Sequence, residues 1–181
     1  MNTKSGTGTP DPWVQKYSTL VPPGPVLDLA CGKGRHGRYF LELGYPVTFI
    51  DKDISGVADL TTHNNSPHNN ANALLIKYDL EKNNPWPFSP NQFSGIVITN
   101  YLYRPLFPTL ITTIKPDGII IYKTFTTGNE QFGRPTNPDF LLKENELRAA
   151  FNKQFQEIAF FQGREMNPDR ITQAICVQRV T

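Results

Sequence analysis

From Pro25 onward the chain alternates short β-branched runs with longer amphipathic or polar stretches, the pattern of a mostly parallel sheet covered by helices on both faces. Seven strands are predicted, at residues 26–29, 47–50, 73–77, 95–99, 119–123, 155–161 and 171–180. Helices are predicted over 35–43, closed by Gly44, over 104–114, ahead of the turn Lys115-Pro116-Asp117-Gly118, and over 144–151. In the last of these Leu147, Ala150 and Phe151 share one face, and Glu144 and Glu146 suit the positive end of the helix dipole. A short helix at 54–60 leads into 61–72, an Asn- and His-rich stretch without periodicity that reads as a solvated loop. Pro85, Pro87 and Pro90 leave no room for a helix between the third and fourth strands, so a crossover loop is expected there, with Trp86 anchoring it on the sheet. The last two strands are separated only by a loop with Gly163 and Asn167-Pro168-Asp169. They are therefore expected to form a hairpin, which makes the final strand antiparallel.

A length of 181 residues fits one domain, divided here into an N-terminal extension, 1–20, and a core, 21–181. Hydrophobic residues at 38% and charged residues at 19% are enough for a core and too little charge for a disordered polyelectrolyte. No apolar run approaches the length of a membrane span, and the polar start shows neither a secretory nor an organellar signal, so a cytoplasmic location and no membrane partner are expected. Two cysteines exclude a disulfide scaffold and a cysteine-based zinc site. His63 and His68 sit in the polar loop away from acids or cysteines, which predicts solvent exposure and no metal. A net charge of +2 without basic clustering nominates no macromolecular partner.

The densest chemical information is Val26-Leu27-Asp28-Leu29-Ala30-Cys31-Gly32-Lys33-Gly34, a buried strand that ends in an acid and a glycine loop opening a helix. Glycines remove side chains where the chain turns tightly, and a ligand approaches the backbone there. Read literally, Gly32-x-Gly34-x-x-Gly37 with Asp51 after the next strand also satisfies the dinucleotide fingerprint. Asp28 argues against that ligand, because a carboxylate beside the pyrophosphate would repel it. Cys31 is expected to pack beneath a ligand rather than react, and His36, in the first turn after the glycine loop, suits capping or loop contacts and catalysis equally.

With these residues the chain resembles the class I S-adenosylmethionine-dependent methyltransferases, whose first motif is an acid, two residues, a small residue or cysteine, then Gly-x-Gly. Ala30 stands where that family often has glycine. The resemblance implies a Rossmann-like α/β fold with strand order 3-2-1-4-5-7-6. It implies that Asp28, Ala30, Cys31, Gly32 and Gly34 bind S-adenosyl-L-methionine, with Asp28 close to its methionyl end. Asp51, followed by Lys52, would bind the ribose hydroxyls, and Asp79 and Leu80 would read the adenine. Asn100 would lie beside the transferable methyl. The pair Asp51-Lys52 and the segment Phe140-Leu141-Leu142-Lys143-Glu144-Asn145-Glu146-Leu147-Arg148 bring the chain nearest to the small tellurite-resistance-type methyltransferases.

The acceptor half of the site is expected from Asn100, Tyr101, Tyr103 and Arg104 after the fourth strand, Lys123 and Phe125 at the end of the fifth, and the loop 126–139. Asn100, Tyr101 and Arg104 are the candidates for positioning the reaction, and Tyr103, Arg104, Lys123, Phe125 and Arg134 for binding the acceptor. Phe132 is a further aromatic candidate. Convergence of Arg104, Lys123 and Arg134, opposed locally only by Glu130, predicts an anionic small molecule. The other side of the weighing is that the arginines merely fix the 126–139 loop through backbone carbonyls. RNA as substrate and a non-catalytic nucleotide- or NAD-binding module stay open as alternatives.

Overall fold

The computed structural model describes residues 8–60, 72–82 and 84–180. The expected loop at 61–72, with His63 and His68, lies outside the described residues apart from Asn72. The elements run α1 (Pro12–Ser18), β1 (Val26–Leu29), α2 (Arg35–Glu42), β2 (Val47–Asp51), β3 (Ala73–Lys77), β4 (Phe93–Thr99), α3 (Phe107–Thr113), β5 (Ile114–Phe125), α4 (Glu146–Ala150), β6 (Phe155–Glu165) and β7 (Arg170–Arg179). One seven-stranded sheet orders them β3-β2-β1-β4-β5-β7-β6. Strands β1 to β5 are parallel, and β7 runs antiparallel to both β5 and β6. The Rossmann-like methyltransferase order and its reversed last strand are therefore present.

Period-two alternation divides the sheet into two faces. Leu27, Leu29, Ile96, Ile98, Ile120 and Tyr122 build one apolar cluster with Leu110 of α3 and Leu147 of α4. Val26, Val97, Ile119 and Ile121 build the other with Val14 of α1 and Phe40 of α2. β1 has partners on both edges and helices on both faces, and all four of its residues are buried. That is why it reads as a continuous apolar run broken only by Asp28.

The boundaries depart from the sequence reading where proline or a left-handed residue intervenes. The helix expected over 104–114 is a single 3₁₀ turn, Arg104–Leu106, followed by α3, because Pro105 and Pro108 each open a new first turn. Asn145 has φ +55°, which keeps Glu144 out of the helix and shortens it to α4. β6 and β7 reach further toward each other than expected, and Gly163 lies inside β6 opposite Thr172. Trp86 does anchor the proline-rich crossover, donating from Nε1 to Thr113 Oγ1 at 2.9 Å.

The part read as an extension carries α1. Asp11 caps it by accepting the Trp13 amide at 2.9 Å, and Pro12 takes the first helical position. Val14 is fully buried against the sheet and Trp13 Nε1 reaches the Ile175 carbonyl. Asp-Pro followed by Trp13, Val14 and Tyr17 on one face was the readable signal.

Asp11 also anchors a charge network. Lys123 Nζ, on β5, meets both Asp11 oxygens at 3.0 Å and Glu165 Oε1 at 2.7 Å. Arg170 and Thr172 close the network on Glu165 Oε2 at 2.7 and 3.0 Å. Burial by itself would raise the Asp11 carboxyl, but hydrogen bonds from Lys123 and the Trp13 amide, with the charges of Lys123 and Arg170, hold it below its ordinary value. Its stabilising contribution is thus complete above the ordinary carboxylate range and is lost only as pH falls through the folded value.

Because the side chains of Lys123 and Asp11 are each only 5% exposed, Lys123→Met should cost up to about 3–5 kcal/mol of stability by leaving buried Asp11 with only the longer ion pair to Arg170 at 3.4 Å. Breaking the exposed pair Arg148–Glu157 by Arg148→Met should cost no more than about 1 kcal/mol. Urea unfolding of the two variants at neutral pH checks the contrast.

Candidate active site

The site forms where the strand order reverses, at the carboxyl ends of the adjacent strands β1 and β4. The residue after each strand is forced into the left-handed region, with φ +54° at both Ala30 and Asn100. Conformations that non-glycine residues avoid persist only where the surroundings impose them, and they mark sites. Ala30 is strained where a glycine would not be.

Asp28 is the centre of the arrangement. Its carboxylate is 3% exposed and Oδ2 accepts the Gly37 amide at 2.8 Å. Gly34, the residue before α2, has no side chain to cap the helix, so the strand acid satisfies an amide of the first turn instead. Glycine is required at two of the three loop positions by packing: a Cβ on Gly37 would lie 2.2 Å from Phe49 Cε1, and one on Gly34 would lie 2.4 Å from Val57 Cγ1. Gly32 is different, since nothing lies within 4 Å of where its Cβ would stand. The loop is closed beneath Gly34 and Gly37 and open at Gly32, which leaves space for a ligand against the backbone.

Asp51 ends β2 beside that opening. Its Oδ2 accepts the Gly32 amide at 2.9 Å and its Oδ1 the Asp53 amide at 3.0 Å. A carboxylate has about four lone-pair sites, so both oxygens keep acceptor capacity for hydroxyls. Lys52 is exposed next to it. Asp79, after β3, accepts the Glu81 amide at 3.1 Å and pairs with Lys82 at 3.6 Å, and Leu80 is buried in the apolar cluster. Burial raises the Asp28 carboxyl to about 7; the Gly37 amide and Arg35 oppose this and Asp51 adds to it. Burial, with the charges of Asp28 and Asp51, also pushes the Cys31 thiol far above its ordinary value, so Cys31 packs as a small apolar group rather than a nucleophile.

Beside these strand ends lies a cavity of about 210 Å³ lined by Glu81, Asn100, Tyr101, Leu102, Thr124, Phe125, Pro135 and Phe140. It draws on the segment after β4, the end of β5 and the 126–139 loop. Glu81 and Phe140, from either side of that set in sequence, were not anticipated as lining residues. Among the described residues, Tyr101 Oη is the buried side-chain polar atom without a hydrogen-bond partner. Burial, followed by the nearby acid Glu81, Tyr103, Asp79 and Asp51, raises the Tyr101 phenol well above its ordinary value, so it stays an O–H donor. Tyr103 Oη donates to the Glu81 carbonyl at 3.4 Å, and the Tyr122 hydroxyl holds the Tyr101 carbonyl at 2.9 Å.

The expected cluster of three cations is not assembled. Lys123 points to the opposite face, where it lines a separate cavity with Pro12, Trp13, Lys16, Phe161 and Glu165 and is neutralised by Asp11 and Glu165. Arg104 grips Glu146 through Nε at 2.6 Å and Nη2 at 3.0 Å, and its remaining donors hold the carbonyls of Asp139 at 2.7 Å and Leu141 at 2.8 Å. Its role in the fold is to fasten the end of the loop that carries Phe140. Arg134 is exposed. Glu130 turns back on the Gly128 amide at 2.8 Å, and Phe132 lies under the Arg164 guanidinium. The pattern of residue types could not separate these outcomes, because both faces of β5 lead to the same sheet edge.

His36 has a definite place. Its Nε2 accepts the Asp11 amide at 3.3 Å and its Nδ1 faces Thr99 Oγ1 at 3.2 Å. Burial, then the charge of Arg35, lowers its pKa to about 4. The ring is neutral with its proton on Nδ1, which ties the start of α1 to the end of β4. Among the described residues no group of three or more His, Cys, Asp or Glu is placed to hold a metal, and no helix is long and apolar enough to cross a membrane.

Comparison with known proteins agrees with this architecture. A protein of Haemophilus influenzae described as "Probable S-adenosyl-L-methionine-dependent methyltransferase TehB" is 30% identical over 96 residues, which cover 53% of this chain and 32% of that protein. The chain thus spans about a third of the length of this relative. Among solved structures, a SAM-dependent methyltransferase from Methanosarcina mazei superposes with TM-score 0.70 at 14% identity, covering 96% of this chain and 99% of the other. The crystal structure of Haemophilus influenzae TehB gives TM-score 0.70 at 23% identity, with 93% and 61% covered. These two likenesses speak for the fold. Residues 7–162 match the family described as "Tellurite resistance protein TehB", and the chain belongs to that family.

Proposed function

We propose that the protein transfers a methyl group from S-adenosyl-L-methionine to a small molecule held in the cavity of Asn100, Tyr101, Thr124 and Phe125. The observation that carries the reading is the opening at Gly32 with the Asp51 carboxylate on its rim. A ligand's backbone-hugging portion fits against Gly32, and its vicinal hydroxyls fit the free lone pairs of Asp51. Asp28 below the loop favours a cationic ligand over a pyrophosphate. The sequence relative with the same description supports the same chemistry.

When bound, the cofactor would supply an electrophilic methyl on a sulfonium. The protein's part is placement. Asp51, Gly32 and Leu80 would fix the nucleoside end, and the strained residues Ala30 and Asn100 set the two strand ends that hold methyl donor and acceptor at contact. Orientation of this kind supplies much of the rate enhancement for a displacement between bound partners. The raised pKa values of Cys31 and Tyr101 leave neither as a base at neutral pH.

Asp51→Ala should weaken S-adenosylmethionine binding by about 1.5–3 kcal/mol, the loss typical of hydrogen bonds to a charged group. Calorimetry that finds unchanged affinity in this variant, or tight NAD binding by the parent protein, would contradict the assignment.

The pH dependence follows from Asp28. Its folded pKa of about 7 lies above the ordinary carboxylate value, so the acid is largely protonated below neutrality and ionised above it. A cationic ligand over the loop favours the ionised form, so binding releases a proton and affinity should rise as pH increases through about 7. Asn at this position keeps an acceptor for the Gly37 amide and cannot ionise. Between pH 6 and 8 the parent should therefore gain affinity relative to Asp28→Asn, measured by calorimetry at matched ionic strength; parallel profiles for the two proteins would refute the role of Asp28.

A further inference from the structure

We infer that Arg38 is a positioning residue for the cofactor: it closes a ring of hydrogen bonds that fixes the Asp51 carboxylate at the rim of the Gly32 opening. The inference rests on the methyl-transfer reading and adds to it the side chain that sets its ribose-binding acid. Asp51 is held through both oxygens, Oδ2 by the Gly32 amide at 2.9 Å and Oδ1 by the Asp53 amide at 3.0 Å. Those amides belong to separate segments, the glycine loop and the turn after β2. The orientation of the carboxylate is therefore set by how the two segments are held together.

Arg38, on α2, spans the same two segments. On the loop side its Nε donates to the Lys33 carbonyl at 3.3 Å. On the turn side Nη2 donates to the Gly56 carbonyl at 3.3 Å, and both Nη atoms grip the Asp59 carboxylate, Nη1 at 2.8 Å. Asp53 completes the path, because its Oδ1 accepts the Ser55 amide at 2.9 Å and ties the end of β2 to the 3₁₀ turn Ser55–Leu60. The ring thus runs from Asp51 through Gly32 and Lys33 to Arg38, and back through Gly56, Ser55 and Asp53. The two segments also touch directly: a Cβ on Gly56 would lie 2.8 Å from the Gly32 carbonyl oxygen and 3.0 Å from Lys33 Cα. Glycine at 56 lets the turn abut the residue whose amide Asp51 accepts. The Arg38 side chain is 16% exposed, and its planar fork reaches both backbone carbonyls and the carboxylate at once. A lysine head, with a single nitrogen, does not bridge them. Arg38 acts through Asp51 and not by contact with the ligand, and a displaced carboxylate loses the hydroxyl hydrogen bonds that depend on its distance and angle.

A double-mutant cycle tests this, read by calorimetry of the full chain with S-adenosylhomocysteine. Arg38→Lys keeps the cation and this probe carries no sulfonium, so the measurement reports geometry rather than charge. Arg38→Lys should weaken the probe at least fivefold where Asp51 is present. In the Asp51→Ala background it should weaken it less than twofold, because the carboxylate through which Arg38 acts is gone. The same split is expected for Gly56→Ala, which pushes the turn off the loop and leaves Arg38 in place. A residue that served the fold alone would lower the binding stoichiometry or weaken both backgrounds alike. Should Arg38→Lys fail to fold, Gly56→Ala decides by the same cycle. Unchanged affinity, or an equal loss with and without Asp51, overturns the inference while the methyl-transfer reading stands. Failure of the parent chain to bind S-adenosylhomocysteine overturns that reading, and the inference with it.

Discussion

The hydrogen bond from the Gly37 amide to Asp28 joins the buried centre of the sheet to the first turn of α2. It replaces the cap that Gly34 cannot provide, and it brings the helix so close to β2 that only glycine fits at position 37 against Phe49. That approach holds the loop of residues 30–34 over the ends of β1 and β2, where Gly32 meets Asp51. The same bond is part of what makes burial of an acid tolerable: desolvation dominates and raises Asp28, yet the amide and Arg35 offset enough of it for the group to titrate near neutrality. One carboxylate thus serves as helix cap and loop anchor.

The central strands and the glycine loop were legible because each rests on local rules. Continuous burial produces the apolar runs of β1, β4 and β5, and a loop without room for a helix obliges β6 and β7 to pair antiparallel. The structure divides the work of the glycines: Gly34 and Gly37 serve packing, and Gly32 leaves an opening at the loop. What the sequence could not convey was which face of the sheet a side chain takes at a strand end. Lys123 and Thr124 are neighbours in the chain, yet one is sealed beneath α1 and the other lines the cavity of Asn100 and Tyr101. Charge counted along the chain therefore overestimated the cations at that cavity.

Glu81 and Phe140 illustrate a second reason. They are brought to the same cavity by the crossover after β3 and by the loop after β5, elements whose course is set by tertiary contacts such as the grip of Arg104 on the carbonyls of Asp139 and Leu141. No periodicity marks such segments. Arg104 itself was visible as a functional candidate because arginine near a strand end commonly meets a ligand, but a planar fork of donors binds carbonyls and carboxylates of the protein equally well. Here Glu146 and the loop engage it.

The N-terminal segment shows how the two faces of the sheet act as one support. Asp11 caps α1, accepts Lys123 and Arg170 through its carboxylate, and donates its amide to His36. Since Nε2 of His36 accepts that amide, its proton must sit on Nδ1 and point to Thr99. Thr99 is the last residue of β4, immediately before Asn100 at φ +54°. A chain of contacts therefore runs from the cap of α1, through the first turn of α2, to the strained residue at the edge of the cavity that Asn100 lines. Protonating His36 would place two donors face to face at Asp11, and its low pKa of about 4 keeps the ring from doing so at neutral pH. The strand end that carries Asn100 is thus held on its covered face by uncharged hydrogen bonds, while the buried ion pairs hold β5 and the terminal hairpin on the same side. Disturbing α1 would therefore reach the strand ends through His36 as well as through Lys123, even though no residue of α1 lines the acceptor cavity.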